Sequence, residues 1–203
     1  MIVWSIEDAL QAEEVTAVFV STDDADIRSV SREAGARVID RPAELAGDTA
    51  SSESALLHAL DVIENDHGIV PELIVFLQAT CPIRCGGDID SAVKTLRDRG
   101  ADSLLSVVPS HTFLWKDVNG EAVPCLHDKG ERPRRQDMDP VYRENGSIYV
   151  TRSQILRSTG DRLGGHSILF PMEEQAGIDI DTALDFHIAA SWLNKLEANP
   201  HDH

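Results

Sequence analysis

Apolar positions along this chain switch repeatedly between two spacings. Ile2, Ile6, Ala9 and Leu10 recur at helical intervals, so the chain is predicted to open inside a helix. Residues 15–20 form a continuous apolar, β-branched run, as in a strand buried on both faces. Ser21-Thr22-Asp23-Asp24 follows, rich in side chains that cap helices. The helix after it is predicted to reach about Ala34 and stop at Gly35, with a short strand at 37–40. A second cap-rich stretch, 48–52, precedes a helix whose apolar face is Leu56, Leu57, Leu60 and Ile63. Residues 73–77 (LIVFL) are the clearest buried strand, followed by a loop at 78–87 with Pro82 and two glycines. Ile89, Ala92, Val93 and Leu96 mark the next amphipathic helix, and 103–108 the next strand.

Strand and helix alternating in this way predict an α/β protein with a doubly wound, mostly parallel sheet. The pattern changes after Pro109. Residues 113–118 and 121–125 flank Asn119-Gly120 and read as a tight hairpin. Strands are predicted at 147–151 and 168–170, and a closing helix at 182–196 with Phe186, Ala189, Ala190 and Leu193 on one face.

A length of 203 residues suits a single domain, 1–203, with a small excursion at 113–146. The chain carries 18 Lys and Arg against 35 Asp and Glu, a formal net charge of -17. That balance excludes a general nucleic-acid binder and argues against anionic membrane surfaces. It leaves room for small phosphorylated ligands in a local pocket of Arg residues. Three cysteines, Cys81, Cys85 and Cys125, have no framework spacing and point to a reducing cytoplasm; Cys81 and Cys85 read as ordinary packing or loop residues.

Ligands of open α/β sheets sit at the carboxyl ends of strands, which selects Ser21-Thr22-Asp23 and the loop 78–84. Gln78, Thr80 and Arg84 supply an amide, a hydroxyl and a guanidinium; the loop equally suits a capped turn with a solvent-facing Arg. Asp179 and Asp181 alternate with Ile178 and Ile180, placing both carboxylates on one face of an extended segment. Such a pair suits Mg²⁺, which uses one or two carboxylates plus substrate phosphates. Alternatively Asp181 caps the closing helix and Asp179 is merely solvated. Lys129, Arg132, Arg134, Arg135 and Arg143 form a basic cluster in an acidic chain, suited either to clamping an anion or to a solvated loop.

Taken in order, several blocks resemble the cytidylyltransferase family that makes CMP-activated sugar acids, in particular its CMP-sialic acid synthetase branch with legionaminate and pseudaminate relatives. They are Val20-Ser21-Thr22-Asp23-Asp24, Arg41-Pro42-Ala43-Glu44-Leu45 with Asp48-Thr49-Ala50-Ser51, and Leu77-Gln78-Ala79-Thr80-Cys81-Pro82-Ile83-Arg84. Arg135-Gln136-Asp137, Glu144-Asn145-Gly146-Ser147-Ile148-Tyr149 and Ile178-Asp179-Ile180-Asp181-Thr182 complete the set. The Arg-Pro-Ala-Glu-Leu and Glu-Asn-Gly-Ser-Ile-Tyr blocks favour the sialate-like branch over CMP-KDO synthetases.

The resemblance implies a nucleotide-diphospho-sugar transferase-like, Rossmann-type sheet and Mg²⁺-dependent transfer of CMP from CTP to the anomeric hydroxyl of a nonulosonic acid, releasing pyrophosphate. It implies Asp179 and Asp181 as catalytic metal ligands. It implies sugar-acid contacts from Gln78, Thr80, Arg84, Arg135 and Tyr142, and nucleotide contacts from Arg41 and Ser52. The excursion 113–146 would build a homodimer and reach the partner's site.

Two departures stand out. Ala79 and Cys81 occupy positions where the family usually has Pro and Ser. The first strand and Gly-rich phosphate loop of the family have no counterpart here, so a start later than the family's, or a truncated chain, is expected. Strands flanking the missing one would then lack ladder partners. The alternative reading is a catalytically silent, truncated homologue that binds a sugar acid or serves as a dimeric remnant.

Overall fold

The computed structural model describes residues 1–47, 49–130 and 134–198. The chain opens with α1 (Ile2–Gln11), which buries Ser5, Ile6 and Ala9 and leaves Leu10 half exposed. β1 (Phe19–Thr22) and β2 (Arg37–Asp40) pair in parallel around α2 (Ala25–Glu33). Asp24 caps α2 by accepting from the Asp26 and Ile27 amides, the role that its residue type predicts. Gly35 follows the helix at φ 95°, a left-handed conformation that a residue with a Cβ resists. α3 (Ser52–His67) is capped by Ser51 and closed by Gly68.

β3 (Leu73–Phe76), α4 (Asp88–Asp98), β4 (Ser103–Ser110), the hairpin β5 (Trp115–Val118) and β6 (Glu121–Pro124), and β7 (Val141–Arg152) come next. The hairpin turns at Asn119 and Gly120, both at positive φ as a type I′ turn requires. α5 (Ser153–Thr159), β8 (Ser167–Pro171), a short 3₁₀ turn (Glu174–Gly177) and α6 (Ala183–Ala198) end the fold. The main sheet has the order β3-β7-β4-β8. β4 and β8 are parallel, β3 and β4 both run against β7, and so β7 alone is reversed.

β7 is far longer than the strand predicted at 147–151, because its first half is polar and carries no alternation. It also contains the main irregularity of the sheet. Leu105 faces Tyr149 and Val107 faces Glu144, so residues 145–148 of β7 all stand opposite Ser106. This wide bulge lies beside the carboxyl end of β3, where the next loop begins.

β1–β2 forms its own two-stranded sheet. Among the described residues no ladder joins β1 to β3. The main core packs Ile89, Ala92, Val93 and Leu96 of α4 against Leu104, Val108, Ile148 and Val150 of the sheet. These four α4 residues are the apolar face that its spacing predicts. α6 buries Ala189 and Leu193 against Ile83, Ile178, Ile180 and Trp4. Phe186, expected on the same face, is half exposed. No helix among the described residues is long and apolar enough to cross a membrane.

Leu96 is fully buried in this core. Leu96→Ala is expected to cost about 2–5 kcal/mol through lost burial and a residual cavity. Urea unfolding should show a lower midpoint at an unchanged slope; an unaltered midpoint contradicts the packing described.

Candidate active site

The loop after β3 is held by a buried charge. The Arg84 side chain is 1% exposed. Its Nε and Nη2 both donate to the Ser147 carbonyl, at 3.2 and 3.1 Å, and Nη2 also donates to the Gln78 carbonyl at 3.2 Å. Nη1 reaches Ser5 Oγ at 3.1 Å and Asp8 at 3.4 Å on α1. Arg84 therefore corrects the expectation of a solvent-facing guanidinium. Its donors go to Ser147, Gln78, Ser5 and Asp8, so it straps the loop to β7 and α1. The reason is energetic: a buried guanidinium is tolerated only when its donors are satisfied.

Asp8 feels the same burial. Desolvation raises its pKa from 3.8 to about 6, against the lowering effect of the Arg84 charge. The folded value exceeds the unfolded one, so folding takes up a proton here. The stability this gives is full below about pH 4 and is lost as pH rises through about 6. Wild-type Tm relative to Asp8→Asn is expected to climb as pH drops from about 7 to 4.5. Parallel Tm profiles would sink this assignment.

The loop and the acidic segment, remote in sequence, meet in space. The Ile180 amide donates to the Thr80 carbonyl at 2.9 Å. Cys81 Sγ donates to Asp179 Oδ1 at 3.3 Å, and Thr80 Oγ1 lies 3.7 Å from the same sulfur. Burial, aided by the Asp179 charge, pushes the Cys81 thiol up to about 11, so it remains a protonated donor. Cys81, expected as an ordinary packing or loop residue, is buried and also stands against one of the two candidate carboxylates. Its position inside the loop selected at the end of β3 was the available signal.

The competing role for Asp181 is filled by its neighbours. Thr182 Oγ1 accepts from the Asp185 amide at 3.3 Å, and Asp185 accepts from the Thr182 amide at 2.8 Å, a capping box at the start of α6. Asp181 is left exposed and Asp179 half-buried, and neither has an ion-pair partner among the described residues. No group of three or more His, Cys, Asp or Glu suited to a metal is found among the described residues. The donor set is thus two carboxylates without a protein cage. That fits Mg²⁺, which completes its shell with water and substrate phosphates.

Gln78 is held from the other side. Its backbone N–H donates to the Gly146 carbonyl at 3.4 Å. A Cβ on Gly146 would fall 2.0 Å from Gln78 Oε1 and 2.9 Å from Cys81 Sγ, and Gly146 has φ +70°. Gly146→Ala is therefore expected to displace the Gln78 side chain and to cost about 1–3 kcal/mol. Denaturant titration with a crystal structure of the variant checks both; an unmoved Gln78 contradicts the clash.

The nucleotide candidates lie on other elements. Arg41 follows β2; its Nε donates to Ser21 Oγ at 3.1 Å, and Nη2 to the Ser21 carbonyl at the end of β1. Ser52 opens α3. The next residue, Glu53, pairs with Arg162, whose guanidinium lies 4.5 Å above the Tyr149 ring. The Tyr149 hydroxyl donates to Glu144, and burial with this bond pushes it up to about 12. Tyr142 is 38% exposed on β7. Of the basic cluster, Arg134 pairs with Asp137, and Arg143 Nη2 donates to the Gly177 carbonyl at 2.8 Å. Asp48, Arg132 and the Arg135 side chain lie outside the described residues.

Comparison with known proteins assigns the chain to a family. The cytidylyltransferase family model covers residues 1–199. The chain belongs to the cytidylyltransferase family. It is 34% identical to an N-acylneuraminate cytidylyltransferase of Oncorhynchus mykiss over 93% of this chain and 43% of that protein. It is 28% identical to the Escherichia coli O18:K1:H7 N-acylneuraminate cytidylyltransferase, over 96% of this chain and 46% of that one. The chain thus spans less than half the length of these relatives. A Campylobacter coli post-translational flagellin modification protein B is 28% identical over 93% of this chain and 81% of its own length. Among solved structures, CMP-2-keto-3-deoxy-manno-octonic acid synthetase complexed with CTP superposes with a TM-score of 0.66 at 18% identity, covering 95% of this chain and 86% of that one. 4-Diphosphocytidyl-2C-methyl-D-erythritol synthase gives 0.68 at 13%, over 94% and 89%. Both support the nucleotidyltransferase-like α/β fold.

Proposed function

We propose that this cytidylyltransferase family member transfers CMP from CTP to the anomeric hydroxyl of a sialic-acid-like nonulosonic acid, releasing pyrophosphate. The observation that carries the reading is the meeting of the 78–84 loop with Asp179 and Asp181 through the Ile180–Thr80 and Cys81–Asp179 contacts. Relatives named N-acylneuraminate cytidylyltransferases support the choice of acid.

Asp179 and Asp181 would hold Mg²⁺, the first oriented by the Cys81 thiol and the second open to solvent and to phosphate. When bound, that ion would neutralise triphosphate charge and lower the pKa of the attacking hydroxyl. Gln78 and Thr80, at the carboxyl end of β3, offer an amide and a hydroxyl to the sugar acid. Arg41 would exchange its Ser21 contacts for charge-assisted bonds to the nucleotide. Ser52, at the first turn of α3, adds a hydroxyl where the helix end favours negative charge.

The excursion 113–146 is proposed as a homodimer contact that brings Tyr142 and Arg135 to the partner's site. Its exposed apolar side chains, Leu114, Trp115, Val118 and Leu126, support an interface there. A second reading, a sugar-acid-binding dimer that transfers no nucleotide, draws on the division of the sheet between β1 and β3, so that Arg41 and Gln78 follow strands of separate sheets.

The test is pyrophosphate release from CTP and Mg²⁺ across a panel of nonulosonic acids. One acid should support release, EDTA should stop it, and Asp181→Ala should abolish it while moving Tm by only about 1–2 °C, as an exposed substitution does. Binding of an acid without pyrophosphate release selects the second reading. Near-normal turnover of Asp181→Ala removes the metal assignment.

A further inference from the structure

The acidic segment leaves the sheet through the 3₁₀ turn Glu174–Gly177, and two side chains of β7 grip that turn. Asn145 Nδ2 donates to the Ala176 carbonyl at 3.0 Å. Arg143 Nη2 donates to the Gly177 carbonyl at 2.8 Å. Consecutive carbonyls, just before Asp179, are thus fixed by residues two apart on one strand.

Asn145 itself has little freedom. It is 2% exposed, and its Oδ1 accepts from Ser106 Oγ at 2.6 Å and from the Ser147 amide at 3.3 Å. Ser106 Oγ in turn accepts from the Ile148 amide at 2.7 Å. These bonds satisfy the Ser147 and Ile148 amides, two of the groups that the four-residue bulge takes out of the ladder. The amide's oxygen therefore faces the sheet and its nitrogen faces the turn. The neighbouring residue, Gly146, holds Gln78. One bulge thereby sets both the loop and the acidic segment.

We infer that Arg143 and Asn145 are positioning residues for the Asp179–Asp181 pair, holding the 176–181 segment so that the two carboxylates converge on one divalent cation. This rests on the metal reading of that pair. It also gives Arg143 a use other than the anion clamp suggested by the basic cluster, since its guanidinium is turned to a backbone carbonyl.

The role is tested in the full chain with Asn145→Asp, which keeps the acceptor and loses the donor to Ala176, and with Arg143→Met and Arg143→Lys. Val93→Ala, a core truncation in α4, serves as a general stability control. Amide hydrogen exchange of residues 174–182 and Mn²⁺ affinity by electron paramagnetic resonance are the readouts.

Asn145→Asp and Arg143→Met are expected to speed exchange in 174–182 and to weaken Mn²⁺ binding about 10–100-fold, the range for groups that orient metal ligands. Arg143→Lys should recover part of both, and Val93→Ala should change neither selectively. Unchanged exchange in Asn145→Asp and Arg143→Met, or an equal effect in Val93→Ala, overturns the inference. Mn²⁺ that fails to bind the wild type removes the metal reading and, with it, the convergence on a cation. The exchange data then report separately whether the segment is pinned.

Discussion

A guanidinium with almost no exposure to water is the constraint around which this site is built. Removing Arg84 from solvent is costly unless every donor finds an acceptor, and the acceptors here come from three elements. Ser147 belongs to the bulge of β7, Gln78 to the end of β3, and Ser5 to α1. Meeting that requirement fixes the loop path, and the loop path places Thr80 and Cys81 against the acidic segment. A residue that resembles a ligand contact thus acts one step back, through the backbone it holds.

The second element of the design is the reversed strand β7. Parallel α/β sheets place their ligands at strand ends, but a long antiparallel strand between β3 and β4 runs back through that region. Its bulge converts the intrusion into an advantage, because four residues against one turn polar side chains and backbone out of the ladder. Asn145, Gly146 and Ser147 then serve the 3₁₀ turn, the Gln78 loop and Arg84 respectively. The Tyr149, Arg162 and Glu53 contacts extend this arrangement to the start of α3, where Ser52 stands.

Much of this chain could be read locally. The α4 face of Ile89, Ala92, Val93 and Leu96 is buried as its spacing predicts, and the Asp24 cap, the Gly35 stop and the Asn119-Gly120 turn all hold. α5 leaves no signal in the sequence because seven residues offer too few apolar repeats to form a pattern. The polar half of β7 leaves none because Tyr142-Arg143-Glu144-Asn145 does not alternate. Phe186 was placed on the buried face of α6 by spacing alone, and spacing says nothing of where the packing partner ends.

The sequence by itself determined the α/β class, most helices and strands, their caps, and the family blocks that single out Gln78, Thr80, Asp179 and Asp181. These follow from side-chain period and backbone preference over a few residues. Tertiary structure alone decided that Arg84 is buried and that Cys81 touches Asp179 across 98 positions of chain. It also set the register shift opposite Ser106. Each of these is a choice among partners that lie far apart in sequence, and local pattern carries no record of which partner packing and burial will bring within reach.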